Sequence, residues 1–431
     1  MKFSIATLGC KVNTYETNVM IELLKNKGYQ EVKFNDIADI YIINTCTVTN
    51  TADNKSLKVV RQAIKRNKDA IIVVVGCLVQ NDKETVENIE GVDIILGNRN
   101  KSEVVNYIDE YIRDKKRLVE VKDLNDMPFE NMYLNDFNKT RAFVKIQDGC
   151  NNFCTYCIIP YTRGNVCSKL PSDVINEVQS LIETGHQEIV LTGIHTGNYG
   201  ANLQDYDFAA LLNDLVKIAG LKRLRISSIE ITEINNRILD VIKNNKILVD
   251  HMHIPLQSGT NRILKLMNRK YDTDYFIDKV NTLRSIRPDM SITTDVIVGF
   301  PDENEEDFKE TIETINKINF SKLHVFPYSK RNGTVAAKIP NQVSENIKRK
   351  RVKTLLELSK SLEINYMKKF IGKEFIFIPE VKKDGYLIGH TGNYLSVKAK
   401  SNMELKHQDI KCKIESVNYP YVSATIIDIE G

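Results

Sequence analysis

A chain of 431 residues is longer than one ordinary hydrophobic core organises, so two or three domains are expected. With 42% hydrophobic and 27% charged residues it has the composition of an ordinary soluble protein, and a net charge of +4 is too small to mark a partner by itself. The opening "MKFSIATLGCKVN" carries too short an apolar run for a signal peptide, and the longest run, "IIVVVGCLV", is too short to span a bilayer, so a cytoplasmic protein with no membrane partner is expected.

From Met1 to about Leu118, the runs "KFSIATLG", "DIYIINT", "DAIIVVVG" and "VDIILG" alternate with helical stretches such as "YETNVMIELLKNKGYQ". That alternation marks βαβ units and a parallel sheet. "KDLNDMPFENMYLNDFNKT" is polar, carries a proline and lacks periodicity, so it reads as a linker. Six further strand candidates follow: "RAFVKIQ", "EIVLTG", "RLRISS", "DHMHIPL", "SITTDVIVG" and "KLHVFPY". Their spacing suggests a full or partial parallel β/α barrel. Beyond the long helix "SENIKRKRVKTLLELSKSLEINYMKKF", the tail has the short strands and turns of a small β-barrel. The expected class is therefore α/β, with an N-terminal parallel-sheet domain over 1–121, a linker over 122–140, a β/α barrel over 141–369 and a small antiparallel barrel over 370–431.

Reduced cytosolic thiols point to metal or redox chemistry rather than disulfides. Of eight cysteines, Cys10, Cys46 and Cys77 each follow one of the first three strand candidates. The carboxyl ends of parallel strands form a ligand-binding edge, where residues 36 and 31 positions apart can converge. Cys150, Cys154 and Cys157 follow the first strand of the second region in "QDGCNNFCTYCIIPYTRG". A zinc site wants a fourth Cys or His, and Cys167 is the nearest spare thiol. A 4Fe-4S cluster on three thiolates instead leaves one iron open to another ligand.

The spacing Cys150-xxx-Cys154-xx-Cys157, with Tyr156 before the last cysteine, resembles the radical S-adenosylmethionine (SAM) signature. Together with "LGCKVNTYET", "NTCTVT", "VVGCLVQ", "RISSIE", "HIPLQSG" and "TTDVIVGFPDE", it makes the whole chain resemble the methylthiotransferases, with a tail similar to the RNA-binding TRAM domain. "LTGIHTGNYG" and "HVFPYSKRNGTVAA" are most similar to the branch acting on N6-threonylcarbamoyladenosine in tRNA. Relatives that modify isopentenyladenosine or a ribosomal protein aspartate are the alternatives within the family, and a non-catalytic zinc-bearing RNA-binding protein is the alternative outside it.

The resemblance implies replacement of the C2–H of the modified adenosine, next to the anticodon, by C–SCH3. It implies two 4Fe-4S clusters: one on Cys150, Cys154 and Cys157 that reduces bound SAM, and one on Cys10, Cys46 and Cys77 that holds the transferred sulfur or methylthio group. It also implies SAM contacts at Tyr156, Thr192, Gly193, His195, Ser227 and Glu230, and at Gly299, where a flat base can approach closely. The implied partners are the tRNA anticodon stem-loop, an electron donor such as a flavodoxin or ferredoxin, and a sulfur donor that the sequence does not identify. Arg163, Gln257 and Ser258 are expected to face the cavity.

For RNA, Lys55, Lys58, Arg61 and Lys65 recur on one helix face, and "KRKR" (348–351) precedes the tail. The tail from Gly372 has eight Lys against eight Asp or Glu, so any grip there rests on local patches and on stacking residues such as Tyr386 and Tyr394.

Overall fold

The computed structural model describes residues 1–124, 127–403, 405 and 408–430. Residues 125 and 126 of the expected linker, and 404, 406, 407 and 431 of the tail, lie outside the described residues. The first domain is a six-stranded parallel sheet of β1 (Lys2–Thr7), β2 (Gln30–Glu31), β3 (Ile40–Thr45), β4 (Ile71–Gly76), β5 (Ile94–Leu96) and β6 (Leu118–Glu120), in the order β2-β1-β3-β4-β5-β6. Helices cover both faces, which is why the central strands read as unbroken apolar runs. Tyr41, Ile43, Ile72 and Val74 pack on one side of the sheet, while Ile40, Ile42, Val73 and Val75 pack on the other.

Each of the six runs expected in the second region forms a strand. β7 (Arg141–Asp148), the short antiparallel β8 (Cys167–Ser168), β9 (Glu188–Gly193) and β10 (Arg223–Ile226) form one sheet, ordered β10-β9-β7-β8. β11 (His251–His253), β12 (Ser291–Val298) and β13 (Lys322–Pro327) form a second. A parallel bridge from Leu224 to Leu248 leads from β10 toward β11, and β13 does not close onto β7, so the barrel is partial. The helix Glu345–Lys368 lies along the free side of β13, where the Ser359 hydroxyl accepts from the Leu323 N–H at 3.0 Å.

The tail forms a closed barrel of β14 (Glu374–Lys383), β15 (Tyr386–Thr391), β16 (Ser396–Lys400), β17 (Asp409–Asn418) and β18 (Tyr421–Glu430). Its pairs are antiparallel except β16 with β18, which run parallel. Met367 and Phe370, at the end of the long helix, are part of this barrel's core and fix it to the domain before it.

The stretch expected to be a linker is a packed strap. Met132, Leu134 and Phe137 are buried in the core of the partial barrel, and the Tyr15 hydroxyl of the first domain donates to the Met132 carbonyl at 3.0 Å. These apolar residues bury one by one against a curved surface, so no helix or strand period announces them. Among the described residues, no helix is long and apolar enough to cross a membrane.

Candidate active site

Because β1, β3 and β4 are neighbours in register, with Thr7 opposite Asn44 and Thr45 opposite Gly76, their carboxyl ends lie side by side. Cys10 caps the helix Lys11–Asn26, Cys46 follows β3 directly, and Cys77 opens the short helix Cys77–Asn81. Gly9 has φ +103°, and a Cβ there would lie 2.8 Å from Cys46 Cβ, so glycine is what lets the first two cysteine loops touch. Burial, with Cys77 and Cys10 nearby, pushes the Cys46 thiol up to about 11. The Asn98 amide lies 3.5 Å from Cys77 Sγ and donates to the Thr162 carbonyl at 2.6 Å, tying this trio to the barrel.

The second trio occupies the loop between β7 and the helix Ile159–Arg163. That loop rests on the end of the helix Asn261–Leu266. Thr155 Oγ1 donates to the Leu266 carbonyl at 2.7 Å, and the Asn268 amide donates to the Phe153 carbonyl at 3.1 Å. Burial first, and Cys154 and Cys150 after it, push the Cys157 thiol up to about 12. Arg269 donates to Cys154 Sγ at 3.4 Å and is anchored by an ion pair with Glu230. His195 Nδ1 lies 3.8 Å from Cys150 Sγ, and its Nε2 pairs with Glu233. Burial opposes the charge on His195, but Cys150 and Glu233 outweigh it and push the imidazole up to about 10.

Both trios suit an iron-sulfur cluster on chemical grounds. Clustered thiols that repel one another as anions lose that cost on binding cationic iron, which requires thiolates. Among the described residues, no three His, Cys, Asp or Glu side chains converge tightly enough for a single metal ion. A cluster binds each thiolate through its own iron and needs no such convergence. Cys167 is engaged elsewhere: it is buried on β8, where Arg99 Nη2 donates to its sulfur at 2.9 Å. Cys412 lies in the core of the C-terminal barrel.

Two voids adjoin at Asp295 and Phe326, which line both. An apolar slot of about 240 Å³ is walled by Val48, Tyr156, Cys157, Ile158 and Ile297, a shape and chemistry suited to a flat base. A cavity of about 570 Å³ opens between all three domains, with Cys10, Lys11, Thr192, Gly193, Ser227 and Tyr394 in its wall. The structure thus gathers Tyr156, Thr192, Gly193 and Ser227 at the voids, while Glu230 and His195 stand at the thiols of the second trio.

Five expectations are corrected. At Gly299, where φ is +70° and itself favours glycine, the space a Cβ would take is filled by the Lys348 side chain, so the close approach there is made by a protein group. Arg163 is wholly buried between domains, bound to Glu16, Asn13 and Asp148, instead of facing the cavity. Tyr394 stacks between His251 (centroids 4.5 Å apart) and His390 (4.7 Å), with Arg225 over its ring, so both faces are taken. In "KRKR", Lys348 and Arg351 are buried, Arg351 paired with Glu303 at 2.5 Å, and only Arg349 and Lys350 are exposed. Gln257 lines the slot, whereas Ser258 is buried.

Sequence reasoning missed Arg269, Glu233 and Arg331. Arg331 donates to Thr47 Oγ1 at 2.7 Å and pairs with Asp53 at 2.5 Å, clamping the loop after Cys46 onto the barrel. Its place inside "HVFPYSKRNGT" was the available signal. Lys55, Lys58, Arg61 and Lys65 are all exposed on the helix Asn50–Arg66.

Residues 2–97 match the Uncharacterized protein family UPF0004, and residues 144–315 match the Radical SAM superfamily. The chain is 44% identical, over 96% of its length and 94% of the relative's, to the Bacillus subtilis threonylcarbamoyladenosine tRNA methylthiotransferase MtaB. It is 38% identical to the Aquifex aeolicus protein of the same name, covering 94% and 98%. To the Clostridium perfringens tRNA-2-methylthio-N(6)-dimethylallyladenosine synthase it is 34% identical, covering 96% and 94%. In fold it is similar to the radical SAM methyltransferase TsrM from Kitasatospora setae solved with cobalamin and a [4Fe-4S] cluster (TM-score 0.56, 12% identity, covering 76% and 74%).

Proposed function

This chain belongs to the threonylcarbamoyladenosine tRNA methylthiotransferases of the radical SAM superfamily, and from that premise we propose how its residues divide the work. It is a SAM-dependent transferase that converts N6-threonylcarbamoyladenosine in tRNA to the 2-methylthio derivative. The identity of 44% to a relative named for that nucleoside, against 34% to one named for the dimethylallyl nucleoside, supports the substrate.

The observation that carries the division of labour is that two separate cysteine trios flank adjoining voids. Cys150, Cys154 and Cys157 would hold the SAM-binding cluster, and Cys10, Cys46 and Cys77 a second one. Bound there, such groups supply the one-electron and sulfur chemistry that an unreactive aromatic C–H demands and that no side chain can provide. The chain itself binds, orients and shields. The apolar slot beside Tyr156 and Ile297 takes the SAM adenine, while Thr192, Gly193 and Ser227 offer polar contacts toward the cavity. Arg269, held by Glu230, sets its positive charge against the Cys154 sulfur, and His195 stands in the same way against Cys150. Substrate adenosine enters the cavity between the three domains.

The C-terminal barrel grips RNA in the manner of a TRAM domain, and the exposed stripe Lys55, Lys58, Arg61 and Lys65 meets backbone phosphates. The exposed Phe153 and Tyr161 rings, 5.9 Å apart beside Cys154, offer a docking face to a reductant such as a flavodoxin or ferredoxin. Reduced thiols and a tRNA substrate fit a cytoplasmic location.

Iron and sulfide analysis after anaerobic purification tests the two-cluster arrangement. It predicts about eight irons per chain, and about four would leave the first trio without a cluster.

A further inference from the structure

Lys11 stands at the first turn of its helix, immediately after Cys10, with its side chain in the wall of the 570 Å³ cavity. It is exposed to that cavity, and among the described residues it makes neither an ion pair nor a hydrogen bond. The other charges here are matched. Lys322 pairs with Glu363 at 2.9 Å, His253 with Asp295 at 3.2 Å, and Arg225 with Glu188 at 2.8 Å. Arg141 and His390 share Glu380. Lys11 lies within electrostatic range of Arg141 and Arg225, while burial holds His251 and His324 toward the neutral form, so among the described residues the cavity beside Cys10 holds an ammonium with no carboxylate paired to it. A site of that kind is built for an anionic ligand.

The substrate proposed above carries one. Its N6 substituent ends in a threonine carboxylate. Its ureido N–H can donate to N1 of the base, closing a six-membered ring that turns the threonyl part to the N1–C2 side. A base presented with C2 toward the first trio therefore brings its carboxylate to the residue next to Cys10. We propose that Lys11 is the specificity residue for the threonylcarbamoyl group, its ammonium receiving the threonine carboxylate. This inference rests on the substrate assigned above and adds which residue reads it. A dimethylallyl group brings no anion, so it would leave Lys11 buried against the base without a partner, which rejects it.

The test uses the iron-loaded full chain and two anticodon stem-loop RNAs, one carrying N6-threonylcarbamoyladenosine and one its threonine methyl ester. Wild type should prefer the acid in kcat/KM by roughly ten- to a hundredfold, the range of a charge-assisted hydrogen bond. Lys11→Met should lose that factor on the acid and no longer distinguish acid from ester, with the KM for SAM and the iron content as in wild type. Lys11→Arg, which keeps the charge, should regain part of the preference. No hydrogen bond is lost with the lysine and methionine suits a helix, so Lys11→Met is expected to fold. If Lys11→Met instead keeps the wild-type preference, or raises the KM for SAM in place of that for RNA, the carboxylate is not read by Lys11 or is that of SAM, and the inference fails. A wild-type protein indifferent to esterification overturns it equally. Turnover of neither RNA by iron-loaded wild type would overturn the assigned substrate, and this inference with it.

Discussion

Arg163 of the partial barrel reaches into the first domain and donates to Glu16 at 2.5 Å, both side chains wholly buried. Glu16 also receives Lys145 at 2.8 Å and Lys101, so one carboxylate joins three cations drawn from both domains. Burial alone would raise the Glu16 carboxyl, yet Arg163, then Lys101 and Lys145, hold it well below its ordinary value. Glu16→Gln leaves these cations short of their shared anion and is expected to cost about 3–5 kcal/mol. For a carboxyl depressed in the folded state, the stabilisation is complete above the ordinary value of 4.5 and is lost as pH falls below it. Thermal unfolding from pH 7 to pH 3 should show a steeper acid decline in wild type than in the variant. Parallel declines would mean that Glu16 is not the titrating anchor.

The helix Glu345–Lys368 separates two roles within four consecutive basic residues. Arg351→Gln should lower stability by roughly 3 kcal/mol, because it strands Glu303, which is buried and accepts from the Gly299 N–H at 3.0 Å. Arg349→Gln with Lys350→Gln should change stability by less than about 0.5 kcal/mol. Equal losses in the two variants, measured by denaturant unfolding, would contradict the burial of Arg351.

How far the sequence reached follows from this helix. Lys348, Arg351, Leu355 and Leu362 fall at helical spacing on one stripe, so the burial of two of the four basic residues was present in the periodicity but hidden by their charge. The strand-end cysteines were legible because each follows an apolar run whose period and length mark a parallel strand. Arg269, Glu233 and Arg331 were not, because each reaches its partner across a gap that only the fold closes. Arg269 is 115 residues from Cys154, and Arg331 is 284 from Thr47. Tyr394 was misread because an aromatic in a turn looks the same whether it awaits a base or is already stacked between two histidines.

The two trios predict different failures. Cys154→Ala should abolish reductive SAM cleavage, whereas Cys46→Ala should leave cleavage in part and stop methylthio transfer, each variant losing about half of the iron. Methylthiolated product at the wild-type rate from Cys46→Ala would falsify the role given to the first trio.

The stripe on the helix Asn50–Arg66 should act on binding rather than chemistry. Changing Lys55, Lys58, Arg61 and Lys65 to Gln should weaken tRNA binding and flatten its salt dependence. The slope of log K against log salt should fall by up to about 0.9 for each phosphate that the variant no longer neutralises. Turnover at saturating tRNA should recover. An unchanged slope with wild-type affinity would make this face merely solvated.

The most direct measurement is mass spectrometry of tRNA nucleosides from cells that have, lack or regain this chain. The account predicts that 2-methylthio-N6-threonylcarbamoyladenosine disappears without the protein, that N6-threonylcarbamoyladenosine accumulates in its place, and that the wild-type chain restores the first while Cys154→Ala does not. Unchanged 2-methylthio-N6-threonylcarbamoyladenosine, or loss of the dimethylallyl derivative instead, would contradict it.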